Sequence, residues 1–424
     1  MSGVADTRFP AFRHVNFRYY AVGQLASIAG TWLQNVALAW LVLQRTGSGT
    51  DVGIVSAAMF VPSLLFGAWA GAVADRFDAR RTVIVLQALL GAQALALAVL
   101  VSLHAESMWS LVALALWNGV GGALDRPVRQ TLLNELVGDE ELPNAIATNS
   151  ALVQLGLVVG PAVGAVLIRT VGIAWCFAVN AASYAVLLGA IAMIRPLTLI
   201  VRPRPVGVDT SVRAGFAHLR TRADIRLLLS TLAVGSLLAY RVDVLLPILA
   251  RDLGGGSGLF AALTTVRGVG ALIASLFLAS RFGAPSFRLL RNASALMAVS
   301  LAAMAVPVPA VVLVAVFPAG IGFMGSIVST LSLTQLLASP AFRGRLVAVW
   351  FVVLSGGVVF GSLLSGVLAD AIGERVTMLI GAASLVFVTW LVRAAEPSTS
   401  VPSTSVLATS ELPANEASGV SALS

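Results

Sequence analysis

Six ionisable side chains sit inside long apolar stretches of this 424-residue chain: Asp125, Arg126 and Arg129 together, Arg241 and Asp243 together, and Arg267 alone. A charge stranded in hydrocarbon costs about 2.5 to 3.5 kcal/mol on insertion scales, so such groups either pair with one another or serve a charged or protonated species. A carboxyl beside an arginine can change its protonation state as its access to water changes. Asp243 and Asp125 are therefore the candidate proton carriers. Arg241 and Asp243 are two residues apart and do not share a helix face, which favours a pair from Asp243 across to Arg267. Two structural readings stay open: a static ion bridge between helices for Asp243 and Arg267, and a helix-end network for Asp125.

Uncharged polar side chains are also scattered through the apolar sequence. Gln24, Thr31 and Gln34 are about two turns and then one turn apart and approximate one helix face. With Trp117, Asn118, Gln154, Asn180, Tyr184, Arg241, Arg267 and Gln335 they are the candidates for lining a polar cavity. Each also suits an interhelical hydrogen bond. Gly156, Gly160 and Gly164 recur every four residues, so they line one face along which backbones pack closely. Pro161 removes the hydrogen bond to the carbonyl of Leu157 and is expected to bend that helix.

The elements that must carry these residues are membrane spans. Of all residues 58% are hydrophobic and only 11% charged, with a mean hydropathy of +0.93, whereas soluble domains carry about 25% charged residues. About twelve apolar windows of span length follow one another, roughly 18–44, 52–75, 82–103, 109–133, 145–168, 173–195, 226–250, 257–280, 286–306, 310–337, 346–370 and 374–393. Backbone groups in lipid need internal partners, so the expected fold is an all-α integral membrane protein. Arg8, Arg13 and Arg18 lead straight into a full-length span, unlike a cleavable signal.

Every basic side chain is arginine. If the spans alternate, Arg8, Arg13, Arg18, Arg76, Arg80, Arg81, the arginines from 195 to 226, Arg281, Arg288, Arg291, Arg343, Arg345 and Arg393 share one side. Arg45, Arg169, Arg251 and Arg375 fall on the other. The positive-inside rule then places both termini in the cytoplasm. The net charge of +8 and the isoelectric point near 11.0 report this topology, not a nucleic-acid surface, because the charges are spread over loops. The one cysteine, Cys176, cannot form an internal disulfide and reads as a packing residue.

Between Pro196 and Asp224 the hydropathy collapses. The expected organisation is a cytoplasmic segment 1–17, a six-helix bundle 18–195, a cytoplasmic linker 196–225, a second bundle 226–393 and a disordered tail 394–424. The halves repeat at an offset near 200 residues: Asn16-Phe17-Arg18 parallels Asp224-Ile225-Arg226, and Gly156, Gly160 and Gly164 parallel Gly357, Gly361 and Ser365.

These residues carry a family resemblance: Asn16-Phe17-Arg18, Gly23-Gln24, Gly30-Thr31-Trp32-Leu33-Gln34, Ala39-Trp40-Leu41-Val42, Thr46-Gly47-Ser48, Pro62, the charged hairpin from Gly71 to Arg81, Asp125-Arg126-Pro127 with Arg129-Gln130, Leu142-Pro143-Asn144-Ala145, Gly160-Pro161-Ala162-Val163-Gly164, Phe177 with Asn180, and Arg343-Gly344-Arg345. Over residues 10 to 393 the chain resembles the major facilitator superfamily, in particular its twelve-span bacterial drug and siderophore exporters. The resemblance implies two pseudo-symmetric six-helix bundles in the bacterial inner membrane, acting as a monomer. It implies that Asp75 and Arg76 make helix-end contacts that hold the cytoplasmic gate shut in the outward-open state, an acid at a helix N-terminus contributing about 0.3 to 1 kcal/mol. Gly71, Arg80, Arg81 and the stripe Gly156, Gly160, Pro161 and Gly164, similar to an exporter glycine-proline signature, complete the gating candidates. Arg80 and Arg81 also fit as positive-inside anchors. Ser280 stands where the second half would repeat Asp75.

The expected function is export of a small amphiphilic molecule by alternating access, in exchange for protons by resemblance. Without lysine there is no Gly-x-x-x-x-Gly-Lys phosphate loop, so energy must come from an ion gradient or a separate subunit. No cofactor or metal is expected. His14, His104 and His218 lie far apart with no metal-ligand spacing or nucleophile motif, which argues against an enzyme. An inward permease or a transporter-like sensor remains the alternative.

Overall fold

The computed structural model describes residues 10–138, 140–194, 222–279, 285–339 and 342–395. Side chains at 68, 69, 71–75, 279 and 395 are outside the described set. The linker expected at 196–225 falls outside it up to residue 221, and the tail expected at 394–424 from residue 396.

Thirteen α-helices are described. The first half holds α1 (Val15–Thr46), α2 (Gly49–Arg76), α3 (Ala79–Ser102), α4 (Met108–Leu136), α5 (Leu142–Thr170) and α6 (Ile173–Ala192). The second holds α7 (Ala223–Leu238), α8 (Val242–Asp252), α9 (Gly256–Ala279), α10 (Phe287–Met304), α11 (Pro309–Leu337), α12 (Arg343–Ile372) and α13 (Glu374–Ala395). Local chemistry sets the ends. Gly47 takes φ 68° and returns its N–H to Leu43 O, closing α1. The Asp78 carboxylate accepts from Arg81 N at 2.7 Å to start α3, and Ser107 and Ser110 form a capping box for α4.

Because α7 and α8 form one interrupted span, the thirteen helices make twelve crossings. Ten stretches are long and apolar enough to cross a bilayer, the α7–α8 pair counting as one. The remaining two, α4 and α10, carry Asp125, Arg126 and Arg129, and Arg288 and Arg291, respectively, which lower their hydropathy. They complete the bundles, α4 packing on α2 and α3, and α10 on α11 and α13.

The seventh span is not the continuous helix its apolar run predicts. Gly235 O accepts from both Ala239 N and Tyr240 N, at 2.9 and 2.8 Å, which ends α7. The Tyr240 ring packs back over Gly235 and meets Phe323 edge-on at 5.5 Å. Arg241 is thus freed from helical geometry.

The two halves are built alike around their glycine stripes. Gly156 and Gly160 of α5 lie against Ile28, Ala29 and Trp32 of α1. Gly357 and Gly361 of α12 lie against Ser236 and Leu237 of α7. In each bundle, then, the stripe of the fifth span seats the first span of the same half. The helix α5 runs unbroken through Pro161. Between the halves, α2 packs on α12 and α5 on α9, the two equivalent seams of one two-fold arrangement. Gly53 and Gly366 permit the first seam, Gly53 facing Ser362 O and Gly366 facing Gly49 and Thr50.

A Cβ on Gly160 would stand 2.7 Å from Trp32 Cβ and 2.9 Å from Leu33 N, with backbone on one side that cannot yield. Gly160→Leu is expected to lower stability by about 1 to 3 kcal/mol or more, seen as an earlier melting transition of the detergent-purified protein by tryptophan fluorescence. Gly164→Ala, which meets only the mobile Leu33 Cδ1 at 3.0 Å, is expected to melt close to the parent.

Candidate functional site

A cavity of ≈ 430 Å³ opens within the first half, in the range of small-molecule sites of about 300 to 1,000 Å³. Its α1 wall is a polar stripe at helical spacing, Tyr20, Gln24, Ser27, Thr31 and Asn35. Opposite stand Asn118, Asp125, Arg126, Arg129 and Gln130 of α4, with Met59, Phe60 and Ser63 of α2 and Asn149 of α5. It runs from mid-helix toward the end of the bundle where α1 begins and α4 finishes, here called the terminal end.

Asp125 is the centre of a network across three helices. Its Oδ2 pairs with Arg129 Nε at 2.6 Å, one helical turn on, and its Oδ1 accepts from Gln87 Nε2 of α3 at 2.6 Å. Arg129 also donates to Gln24 Oε1 and, at 3.2 Å, to Ser27 Oγ, tying α4 to α1. Thr31 Oγ1 and Tyr184 Oη share a hydrogen bond at 3.2 Å that brings in α6.

A second charged cluster lies in the other half. Asp243 pairs with Arg267 Nη2 of α9, and its second oxygen lies 3.8 Å from Arg241 Nη1. The helix break makes this last contact possible, where an unbroken helix would have turned Arg241 away from Asp243. Arg241 also donates to Ser362 Oγ of α12 at 2.9 Å and lies 5.5 Å over the Phe60 ring of the first half.

Not all expected cavity residues reach the cavity. Gln24, Thr31, Asn118 and Tyr184 line it. Gln34 lies about 100° round α1 from Asn35 and joins a fully buried cluster instead, accepting from Asn180 at 2.8 Å and donating to Gln93 at 3.2 Å. Trp117 shares an outward face with Leu116 and Val120, all exposed, as for a lipid-facing stripe. Gln154 donates to Ser275 Oγ at 2.6 Å and so bridges the halves along the α5–α9 seam. Gln335 is exposed near the end of α11, where its carbonyl accepts from Arg343. The missed residues Tyr20, Ser27 and Asn35 carried a readable signal, since they extend the spacing of Gln24 and Thr31 by threes and fours.

The halves are fastened at the far end of the bundle, opposite the termini. Asp370, in the last turn of α12, accepts from Gly49 N at 2.7 Å, Thr50 N at 2.8 Å and Ser48 Oγ at 2.8 Å. It caps the N-terminus of α2 from the opposite bundle. Arg251 Nη1 donates to Gly47 O at 3.0 Å, at the C-terminal end of α1. An acid on a helix N-terminus and a cation on a C-terminus both match the helix dipole. Asp370 closes a run Gly366-Val-Leu-Ala-Asp370 that repeats Gly71-Ala-Val-Ala-Asp75, which is the signal that sequence reading passed over.

Among the gating candidates, the side chains of Gly71 and Asp75 lie outside the described residues, and Arg76 is exposed at the end of α2. Arg80 donates to the carbonyls of Ile191 and Ala192, both at 3.3 Å, and ties α3 to the end of α6 within one half. Arg81 is exposed in the first turn of α3. At the far end Arg45 pairs with Glu106, Arg251 with Asp252 at 2.9 Å and Arg375 with Glu374 at 3.3 Å, so three of the four arginines there are matched by acids.

Comparison with known proteins agrees with this arrangement of bundles. The profile of a family described as transmembrane secretion effectors covers residues 6–416. The chain belongs to this family of the major facilitator superfamily. It is 29% identical to the multidrug efflux pump Tap of Mycolicibacterium fortuitum, over 84% of this chain and 89% of that one. It is 27% identical to the enterobactin exporter EntS of Escherichia coli, over 88% of each. A staphyloferrin A transporter of Staphylococcus aureus is 24% identical over 62% of this chain, which spans 66% of that transporter's length. The fold is that of solved facilitators: an inward-facing, unoccupied bacterial homologue of the lysosomal transporter Spinster superposes with a TM-score of 0.71 at 14% identity, covering 91% of this chain and 98% of that one. The nucleoside transporter NupG gives 0.70 at 15%, covering 90% and 98%. The chain is a multi-pass membrane protein related to drug and siderophore exporters, its thirteen described helices making twelve crossings in two related bundles.

Removing the Asp370 carboxylate strips a charge-assisted cap from the far-end seam, worth about 1.5 to 3 kcal/mol per bond to a charged group. Asp370→Ala is expected to raise labelling at an Asn35→Cys reporter by a membrane-impermeant thiol reagent applied from the far side about tenfold or more. The buried Cys176 leaves the reporter as the reactive thiol.

Proposed function

We propose that the protein exports a small amphiphilic molecule across the bacterial inner membrane, loading it from the cytoplasm and releasing it outside as the two bundles rock. The observation that carries this reading is a polar-walled cavity reaching toward the terminal end while Asp370 and Arg251 fasten the halves at the far end. Such a closure rests on a few hydrogen bonds and small-residue contacts, which separate without unfolding either bundle. The arginine surplus around the chain termini supports a cytoplasmic terminal end. Asp75, the counterpart of Asp370, would cap α12 from the opposite side when the cytoplasmic end closes and the far end opens.

The proposed driving force is proton antiport, with Asp125 as the first candidate carrier and Asp243 as the second. Asp125 faces Arg129 and Arg126 on its own helix, Gln87 on α3, Tyr20 and Gln24 on α1, and Tyr184 on α6. Protonating it would dissolve the pair with Arg129 and loosen the link from α4 to α1, so the proton would act on the conformation of the return leg. Asp243 would loosen the contact of α8 with α9 in the same way. An inward permease would use the same cavity with the cycle reversed, and a sensor would bind without flux.

Inverted vesicles carrying the protein are expected to accumulate a fluorescent amphiphile when energised, and right-side-out vesicles are not. Accumulation only in right-side-out vesicles would establish uptake, and absence of flux in both would remove the transporter reading. With Asp125→Asn, transport is expected to lose its dependence on an imposed pH gradient while ligand binding persists. A gradient dependence that survives in Asp125→Asn and disappears in Asp243→Asn would move the carrier to the second half.

A further inference from the structure

The charges on the cavity wall do not balance. Asp125, Arg126 and Arg129 line it together. Both oxygens of Asp125 are engaged, one by Gln87 and the other by Arg129, and Arg129 also donates to Gln24 and Ser27. Arg126 is exposed to the lumen and has no hydrogen bond or ion pair among the described residues. The neighbouring cluster adds to the imbalance, because Arg241 and Arg267 share the single carboxylate of Asp243. A guanidinium that faces the lumen with none of its five donors engaged offers a planar fork that fits a carboxylate.

We propose that Arg126 anchors the anionic group of the cargo, which is an organic acid with an apolar or aromatic body. This rests on the exporter reading for the word cargo, and on the cavity alone for the site. The rest of the wall suits such a molecule. Asn35 lines the same cavity and its Oδ1 is buried without a hydrogen-bond partner, so a turn of this amide would offer an acceptor to a hydroxyl or amide of the ligand. Arg45 holds the far end of α1 level with His104 and Glu106 just before α4. Counting from there at about 1.5 Å per residue, Asn35 lies roughly 12 to 15 Å deeper than Arg126, a separation that a drug-sized molecule spans. Trp32, Met59 and Phe60 provide the apolar surface for its body. Gln24 and Ser27, already engaged by Arg129, complete the first turns of this wall without competing for the anion.

The test uses three matched radiolabelled probes, 2-naphthoate, 2-naphthamide and 2-naphthylmethylammonium, bound to the full-length protein in nanodiscs. The wild type is expected to bind the carboxylate about tenfold or more tightly than the amide or the ammonium, the difference expected of one charge-assisted contact. Arg126→Gln is expected to bring the carboxylate down to the level of the amide, with the melting temperature unchanged. Arg126→Lys is expected to restore part of the preference, as a point charge without the fork. Equal or tighter binding of the ammonium by the wild type would overturn the assignment, as would an undiminished preference for the carboxylate in Arg126→Gln. Because binding is read without flux, a failure here is distinguishable from a failure of the exporter reading, which vesicle transport decides.

Discussion

A charged side chain inside the thickness of a bilayer must be given a partner, and much of this structure follows from how that requirement is met. Asp125 and Arg129 satisfy each other one turn apart on α4 and take Gln87, Gln24 and Ser27 as further ligands. In doing so they bind α1, α3 and α4 into one unit. Asp243 does the same for α8 and α9 through Arg267. The expense of a buried ion pair relative to an apolar one is not recovered in stability. What these pairs contribute is a set of connections between helices, one of them, Asp125 with Arg129, on the wall of the cavity.

The two bundles are held together differently from the way each is held internally. Inside a bundle, glycine stripes let backbones approach: α5 on α1, and α12 on α7. Between bundles, the α2–α12 and α5–α9 seams also use small residues, but their ends are fastened by groups aimed at helix termini. Asp370 on the start of α2 and Arg251 on the end of α1 are such groups. Contacts of this kind have a small area and a definite geometry, so they are either made or absent. A continuous apolar interface of the same length would not separate as readily.

The break in the seventh span shows how one local conflict serves the rest. Tyr240 turns over Gly235 and ends α7, and the released Arg241 reaches Asp243, Ser362 and the face of Phe60. Thus one side chain of the second bundle touches the wall of the cavity in the first.

Composition and periodicity alone determined that the chain is a helical membrane protein with about twelve crossings in two related halves, because hydrocarbon leaves the backbone no alternative to the helix. Spacing also favoured the pairing of Asp243 with Arg267 and put Gln24 and Thr31 on one face, while its third member, Gln34, lies off that face. The tertiary structure decided which face of each helix meets which neighbour. It sent Trp117 outward, buried Gln34 and Asn180 in a cluster of their own, and drew Asn35 and Arg126 to the cavity. A period of 3.6 residues marks a face but does not say whether that face meets lipid, a packed helix or water. The role of Asp370 was hidden for a related reason: its partners are backbone N–H groups some 320 residues away, and a backbone donor looks the same in every sequence.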